Sequence, residues 1–349
     1  MRLKPINQQV VVLVGASSGI GRLTAIEFAR RGAKVVVSAR SDEGLDTLVD
    51  DMRREGREIT AVTADVADFA QVKTIADTAV NLYGRIDTWV HLAAVILYAR
   101  FEETTPEEFQ QVIDVNLVGQ AFGAMAALPH LRRAGRGALI HVTSIEGLRA
   151  MPFHSAYAAS KHGVVGFLEA LRLELRKEGA PISITNIMPG SINTPLFNKA
   201  RTKLGVKPQG IPPIYEPEVV VETILHAAEH PSRDLFAGGS ARMMAFIQAL
   251  SPRLMDTLLL RTAFKGQKTD EAKSVAAPDS LYRPISGFNR IKGDFSAKAS
   301  SLSPYTRAQL HPGLTTIITG LALGAGIALA RRFTKNSGKA TRGAPPYRP

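Results

Sequence analysis

The stretch that most constrains the fold is Gln9-Val10-Val11-Val12-Leu13-Val14, which runs straight into Gly15-Ala16-Ser17-Ser18-Gly19-Ile20-Gly21. A run of β-branched residues this apolar suits a strand buried on both faces. Residues 20–29 carry Ile20, Leu23, Ile26, Phe28 and Ala29 as apolar positions, the pattern of an amphipathic helix. A glycine-rich turn between such a strand and helix brings backbone N–H groups and the helix N-terminus toward a pyrophosphate, and the missing side chains permit close approach. Gly15, Ser17, Ser18, Gly19, Ile20 and Gly21 are therefore expected to cradle a dinucleotide. The plainer alternative, a tight turn whose glycines serve only sterics, has less support because both flanking elements are of the required kind.

The next strand, Lys34 to Ser38, ends at Ala39-Arg40-Ser41, which in such a fold lies beside the adenine ribose. An acidic residue there holds the 2′-hydroxyl of NAD, whereas an arginine accommodates the 2′-phosphate of NADP. Arg40 favours NADP over NAD. Asp42 and Glu43 come directly after it and weigh the other way, although both also suit the start of a helix by complementing its dipole.

Tyr157 and Lys161 stand one helical turn apart in Tyr157-Ala158-Ala159-Ser160-Lys161, with Ser144 thirteen residues before Tyr157 at the end of an apolar run. Residues four apart share a helix face. A fixed ammonium beside a phenol, whose free pKa is about 10, favours the phenolate and suits the group to acid/base work. Taken singly, Tyr-x-x-x-Lys is a weak signal that chance produces on solvated faces.

In this order the motifs resemble those of the short-chain dehydrogenase/reductase family, over roughly residues 8 to 240. The resemblance implies an α/β fold, a Rossmann-type doubly wound parallel sheet, here with a C-terminal helical and hydrophobic extension. It also implies an oxidoreductase that interconverts a carbonyl and an alcohol with a nicotinamide cofactor. Asn116, Ser144, Tyr157 and Lys161 match the family's catalytic positions. Asp65 and Val66 match the adenine contact, Ala93 falls in the family's segment after the fourth strand, and Pro189, Gly190, Ile192 and Thr194 match the segment that closes over the nicotinamide. In the implied reaction Tyr157 handles the proton, Ser144 orients the carbonyl oxygen, Lys161 holds the ribose hydroxyls and lowers the Tyr157 pKa, and Asn116 anchors a water. For Ser144 a helix cap, and for Asn116 a helix kink, remain the structural alternatives. Two positions depart from the family pattern: Val14 replaces a common Thr, and His91-Leu92-Ala93-Ala94 replaces Asn-Asn-Ala-Gly. These bear on sheet support and cofactor affinity, and His91 itself reads as a strand-end histidine satisfied locally.

The charge is unevenly placed. Residues 1–240 hold 26 Lys and Arg against 26 Asp and Glu, so the net +12 belongs entirely to residues 241–349. No cysteine is present, which excludes disulfides and thiolate metal sites, and no histidine motif calls for a metal. Met1 to Gln8 has no apolar stretch of the kind a signal peptide needs. The alternation of strands and helices ends near Asp234-Leu235-Phe236-Ala237, so the catalytic domain is expected over 1–240. Residues 241–264 read as one or two apolar helices broken at Ser251-Pro252, which cap the substrate pocket, lie on a membrane or pack on the domain. Residues 265–312 read as a flexible polar linker.

Residues 313–330 carry no charge over eighteen positions, near the minimum for a bilayer span, and 331–349 form a basic disordered tail. The positive-inside rule conflicts with a cytoplasmic catalytic domain, so the segment either spans against the charge bias or anchors without crossing. The expected location is membrane-associated with the catalytic domain in the cytoplasm, the alternative being soluble. Lipid contact through the tail, a homo-oligomer and no nucleic-acid partner complete the expectation. Met151, Pro152, Phe153, Pro195, Leu196 and Phe197 are expected to wall an apolar substrate pocket. The alternative function is a membrane-tethered NADP-binding sensor or scaffold with little turnover.

Overall fold

Seven parallel strands form the central sheet: β1 (Val10–Val14), β2 (Lys34–Ala39), β3 (Ile59–Thr63), β4 (Thr88–His91), β5 (Gly137–Val142), β6 (Ile182–Pro189) and β7 (Asp234–Ala237). Their spatial order is β3-β2-β1-β4-β5-β6-β7. The direction of winding reverses between β1 and β4, and the crevice outside the carboxyl ends of those strands is where ligands bind in such sheets. β1, β5 and β6 are buried along their whole length, as an apolar run covered on both faces requires. The computed structural model describes residues 1–311 and Gly313, and residues 1–306 pack as one unit. Residues from Arg307 onward belong to a second unit. The expected anchor at 313–330 and basic tail at 331–349 lie outside the described residues, apart from Gly313.

Helices α1 (Gly19–Arg30), α2 (Asp42–Arg54) and α8 (Glu218–Glu229) lie along one face of the sheet. Helices α3 (Phe69–Tyr83), α4 (Pro106–Ile113), α5 (Gly119–Arg133) and α6 (Ser155–Lys177) cover the other, and α7 (Leu196–Lys199) is a single turn after β6. α4 runs into α5 through a π turn at Asp114–Val118. Among the described residues this continuous run, Pro106–Arg133, is the one helix long and apolar enough to cross a membrane, and half of its apolar window is buried within the protein. It packs on α3 and α6 as a core element.

The chain beyond β7 departs from the expected organisation at two points. First, residue 240 is no boundary: α9 (Gly239–Leu250) and α10 (Pro252–Gly266), broken at Ser251 as the proline requires, pack back on the body. Ala241 and Ala245 bury against Ile145, and Met255, Leu259 and Ala263 against Met151. Their outer faces leave Met243, Phe246, Leu250 and Leu260 more than half exposed. Second, residues 266–306 are not a free linker. β8 (Lys268–Ala272) pairs antiparallel with Val206–Pro208, and the Asn193 side chain accepts from the Phe295 N–H at 3.0 Å while donating to Ser296 Oγ at 2.9 Å and Glu216 at 3.1 Å. Phe295 buries its ring against Phe197, with centroids 5.7 Å apart. Composition alone reads the segment as solvated, and many of its side chains are exposed, but Glu271, Lys273, Asp279, Asn289 and Asp294 bond to the body.

Candidate active site

The crevice at the sheet reversal opens into a cavity of about 310 Å³. All the expected catalytic and cofactor residues line it except Asp65 and Asn116, and of the expected substrate wall Pro152 and Phe153 do not. The glycine turn forms its floor. Gly15 adopts φ +99°, and a Cβ there would meet the Ala93 amide nitrogen at 2.6 Å, while a Cβ on Gly21 would sit 2.0 Å from the Gly15 carbonyl oxygen. The turn therefore packs backbone on backbone, with the N-terminus of α1 facing the cavity, which fits the diphosphate of a dinucleotide. Val14 keeps its place in the ladder opposite His91, and the Leu92 and Ala93 amides donate to the Val14 carbonyl at 2.8 and 3.1 Å, so the departures from the family pattern leave the backbone path intact.

At the adenosine end, Arg40 lines the cavity and lies 3.8 Å from Asp65. Asp65 accepts from the Ala67 N–H at 3.0 Å. Asp42 and Glu43 occupy the first turn of α2 behind the Ser41 cap, and neither lines the cavity. Their helix-start role is thus the one the geometry displays.

Ser144, two residues beyond β5, uses its hydroxyl to accept from the Glu146 N–H at 3.1 Å. It caps a short turn and also stands within hydrogen-bonding range of the Tyr157 phenol. Tyr157 enters from the first turn of α6, and the Lys161 ammonium lies 5.4 Å from its ring centroid while donating to the Val142 carbonyl at 3.4 Å. Asn116 sits in the π turn. Its side chain accepts from the Val95 N–H at 2.8 Å and donates to the Val95 carbonyl at 2.9 Å and Ser160 Oγ at 3.3 Å, tying the loop after β4 to α6.

One electrostatic expectation is reversed. Burial, reinforced by the nearby Glu146 carboxylate, pushes the Tyr157 phenol well above its ordinary range, and the Ser144 hydrogen bond offsets this only in part. Any downward pull of the Lys161 ammonium is outweighed. Burial lowers Lys161 itself to about 8, against the opposing influence of Glu146. Sequence reasoning weighed the ammonium and had no means of weighing desolvation.

Sequence reasoning also missed Glu146 and His154, which line the cavity and join through Glu146 Oε1 and His154 Nδ1 at 2.8 Å, with the Tyr98 ring edge-on to His154 at 4.3 Å. Their signal was adjacency: two residues after Ser144 and three before Tyr157. Lys199 was missed as well, with no local signal to find it. Met151, Pro195, Leu196 and Phe197 wall the cavity as expected, whereas Phe153 turns away with φ 70° and stacks edge-on to Phe264 at 5.2 Å. His91 is fully buried, stacked on His141 at 6.0 Å, and among the described residues its ring nitrogens have no hydrogen-bond partner. The expected local satisfaction is absent. Burial and the neighbouring His141 keep His91 well below its ordinary pKa, so the uncharged ring fits its apolar niche against Gly123.

The parallel sheet, the glycine cradle and the Ser, Tyr and Lys around one cavity define an oxidoreductase of the nicotinamide-dinucleotide class. A family model described as short chain dehydrogenase matches residues 9–205. An uncharacterized oxidoreductase of Bacillus subtilis strain 168, YxnA, is 39% identical over 324 residues, covering 92% of this chain and 91% of its own. An uncharacterized oxidoreductase of Listeria monocytogenes, Lmo0432, is 31% identical over 231 residues, covering 65% of this chain and 92% of its own. The solved alcohol dehydrogenase of the archaeon Thermococcus sibiricus, complexed with 5-hydroxy-NADP, superposes with a TM-score of 0.57 at 25% identity over 65% of this chain and 95% of that one. The chain belongs to the short-chain dehydrogenase family. It is an oxidoreductase of CH–OH and C=O groups that uses NAD or NADP.

Proposed function

We propose that the protein interconverts a carbonyl and a primary or secondary alcohol on a lipophilic small molecule, with NADP as the preferred cofactor and Tyr157 as the acid/base. The observation that carries this reading is the convergence of Ser144, Tyr157, Lys161 and Arg40 on the cavity that holds the glycine cradle. A bound nicotinamide supplies the hydride in reduction and accepts it in oxidation. Tyr157 donates its proton to the oxygen of the reduced carbonyl, and the burial and the Glu146 charge that hold it protonated at neutral pH suit it to that direction. Ser144 hydrogen-bonds the same oxygen and orients it. Lys161, positive below pH of about 8, stabilises the phenolate left behind. Asn116 holds the loop after β4 in place through Val95. Met151, Leu196, Phe197, Ile211 and Met244 give the outer cavity an apolar wall, which supports a lipophilic substrate.

A panel of aliphatic, aromatic and steroidal carbonyls assayed by loss of NADPH absorbance, with NADH in parallel, tests the reading. The expected result is turnover of at least one apolar carbonyl with kcat/KM at least about tenfold higher for NADPH, one charge-assisted phosphate contact being worth about 1.5–3 kcal/mol. Saturable NADPH binding without oxidation across the panel would contradict it.

A further inference from the structure

The segment from Asp279 to Phe295 returns across the adenosine end of the cradle. Arg201 holds Asp279 at 2.9 Å, and the Ser280 N–H donates to the Lys199 carbonyl at 2.9 Å. The Arg40 guanidinium donates to the carbonyls of Ser280 at 2.8 Å and Tyr282 at 3.1 Å, and the Gly19 N–H donates to the Arg290 carbonyl at 3.0 Å. A Cβ on Gly293 would stand 2.6 Å from the Thr194 carbonyl oxygen, so the segment lies flush on the stretch expected at the nicotinamide. Ser280, Pro284, Ile285 and Asn289 line the same cavity as the cradle.

Lys199, the last residue of α7, lies under this segment. Its ammonium donates to Ser18 Oγ at 2.7 Å, at the mouth of α1, and stands close enough to Arg40 to feel its charge. Among the described residues no carboxylate lies within ion-pair distance of Lys199, and the one that approaches Arg40, Asp65, does so at 3.8 Å. Both cations line the cavity. Two like charges drawn out of water repel each other, and a fold that fixes both through neutral carbonyls and a hydroxyl has built a place for an anion. Arg40 ends β2, so that place is beside the adenosine ribose and not at the diphosphate over α1.

We propose that Lys199, held beside Arg40 by the returning segment 279–293, is a second cationic ligand for the 2′-phosphate of the dinucleotide. Phosphate discrimination is then carried partly by residues well beyond the β2 end. The inference rests on the NADP preference proposed above, and the two are separable by experiment. Calorimetric titration of the full chain with NADP⁺, NAD⁺, 2′,5′-ADP and 5′-AMP reads both. The wild type is expected to bind 2′,5′-ADP at least tenfold tighter than 5′-AMP; equal affinities would overturn the NADP reading and this inference with it. Lys199→Met is expected to lose at least fivefold in affinity for NADP⁺ and 2′,5′-ADP while binding NAD⁺ and 5′-AMP within twofold of wild type, and Lys199→Arg to retain most of the preference. An unchanged preference in Lys199→Met would overturn the role of Lys199 alone. An equal loss for NADP⁺ and NAD⁺ would place the ammonium on the diphosphate and also overturn it. Thermal melts of each variant without ligand identify a folding defect, in which case Lys199→Arg and Lys199→Gln carry the comparison.

Discussion

Tyr157→Phe is expected to lower kcat by about 1000-fold, within the range for loss of a general acid, while the affinity for NADPH stays within about threefold. The substitution removes one oxygen from a side chain that is otherwise packed in place. The ring is 8% exposed, lies 6.1 Å from the His154 ring and presents its face to Lys161 at 5.4 Å, contacts that a phenylalanine retains. What disappears is the O–H that, on the proposed reading, exchanges a proton with the substrate oxygen, together with its interaction with Ser144. Stability should hardly change, because the loss of one hydrogen bond of about 1 kcal/mol is offset by burying one polar group fewer. Single-turnover kinetics with NADPH in excess, alongside a fluorescence titration of the cofactor, separates the two readouts. Turnover close to wild type would remove Tyr157 from the chemistry.

Gly21→Ala is expected to act through the backbone and to cost about 3 kcal/mol or more of stability, the upper range for overpacking a rigid site. The added carbon would lie 2.0 Å from the Gly15 carbonyl oxygen, 2.8 Å from its carbon and 3.2 Å from the Ala16 Cα, and none of these is a side chain that can swing aside. Relief requires α1 to withdraw from the turn. That movement breaks the register between the helix N-terminus and the cradle, so dinucleotide affinity should fall by about 100-fold, the scale of losing one or two charge-assisted hydrogen bonds. Denaturant unfolding and cofactor titration check the two effects. A variant with wild-type stability and wild-type cofactor affinity would show that the turn tolerates a methyl group and that its tight packing is not what forms the cradle.

The sheet was legible because a parallel strand covered on both faces must be apolar along its length. Val10 to Val14 and, after the exposed Lys34, Val35 to Ser38 could be read directly as strands for that reason. The cradle was legible because only glycine satisfies the backbone contacts at positions 15 and 21. Residues 266–306 were not. Their anchoring runs through single hydrogen bonds to distant backbone, such as Arg40 to Ser280 across 240 positions, and composition carries no record of such pairings. The same limit hid Lys199, whose place beside Arg40 exists only once the returning segment is folded. The direction of the Tyr157 shift was hidden for a different reason. Spacing on a helix reveals which charge is near, but the larger influence is the loss of water, and that depends on every element around the pocket. Glu146 and His154 stood beside residues already singled out, yet nothing in their spacing distinguishes a pocket wall from a solvated turn.

The proposed hydride transfer from a nicotinamide to a carbonyl carbon, with Tyr157 as proton donor, would leave an isotopic record in the product. Mass spectrometry of the alcohol formed from an apolar ketone, using NADPH deuterated in turn at each face of nicotinamide C4, reads it most directly. One deuterium is expected at the carbinol carbon from a single face, none from the other, and no labelled product with Tyr157→Phe over the same time. Product without label from either face, or label from both in equal amounts, would contradict a single nicotinamide held against this site.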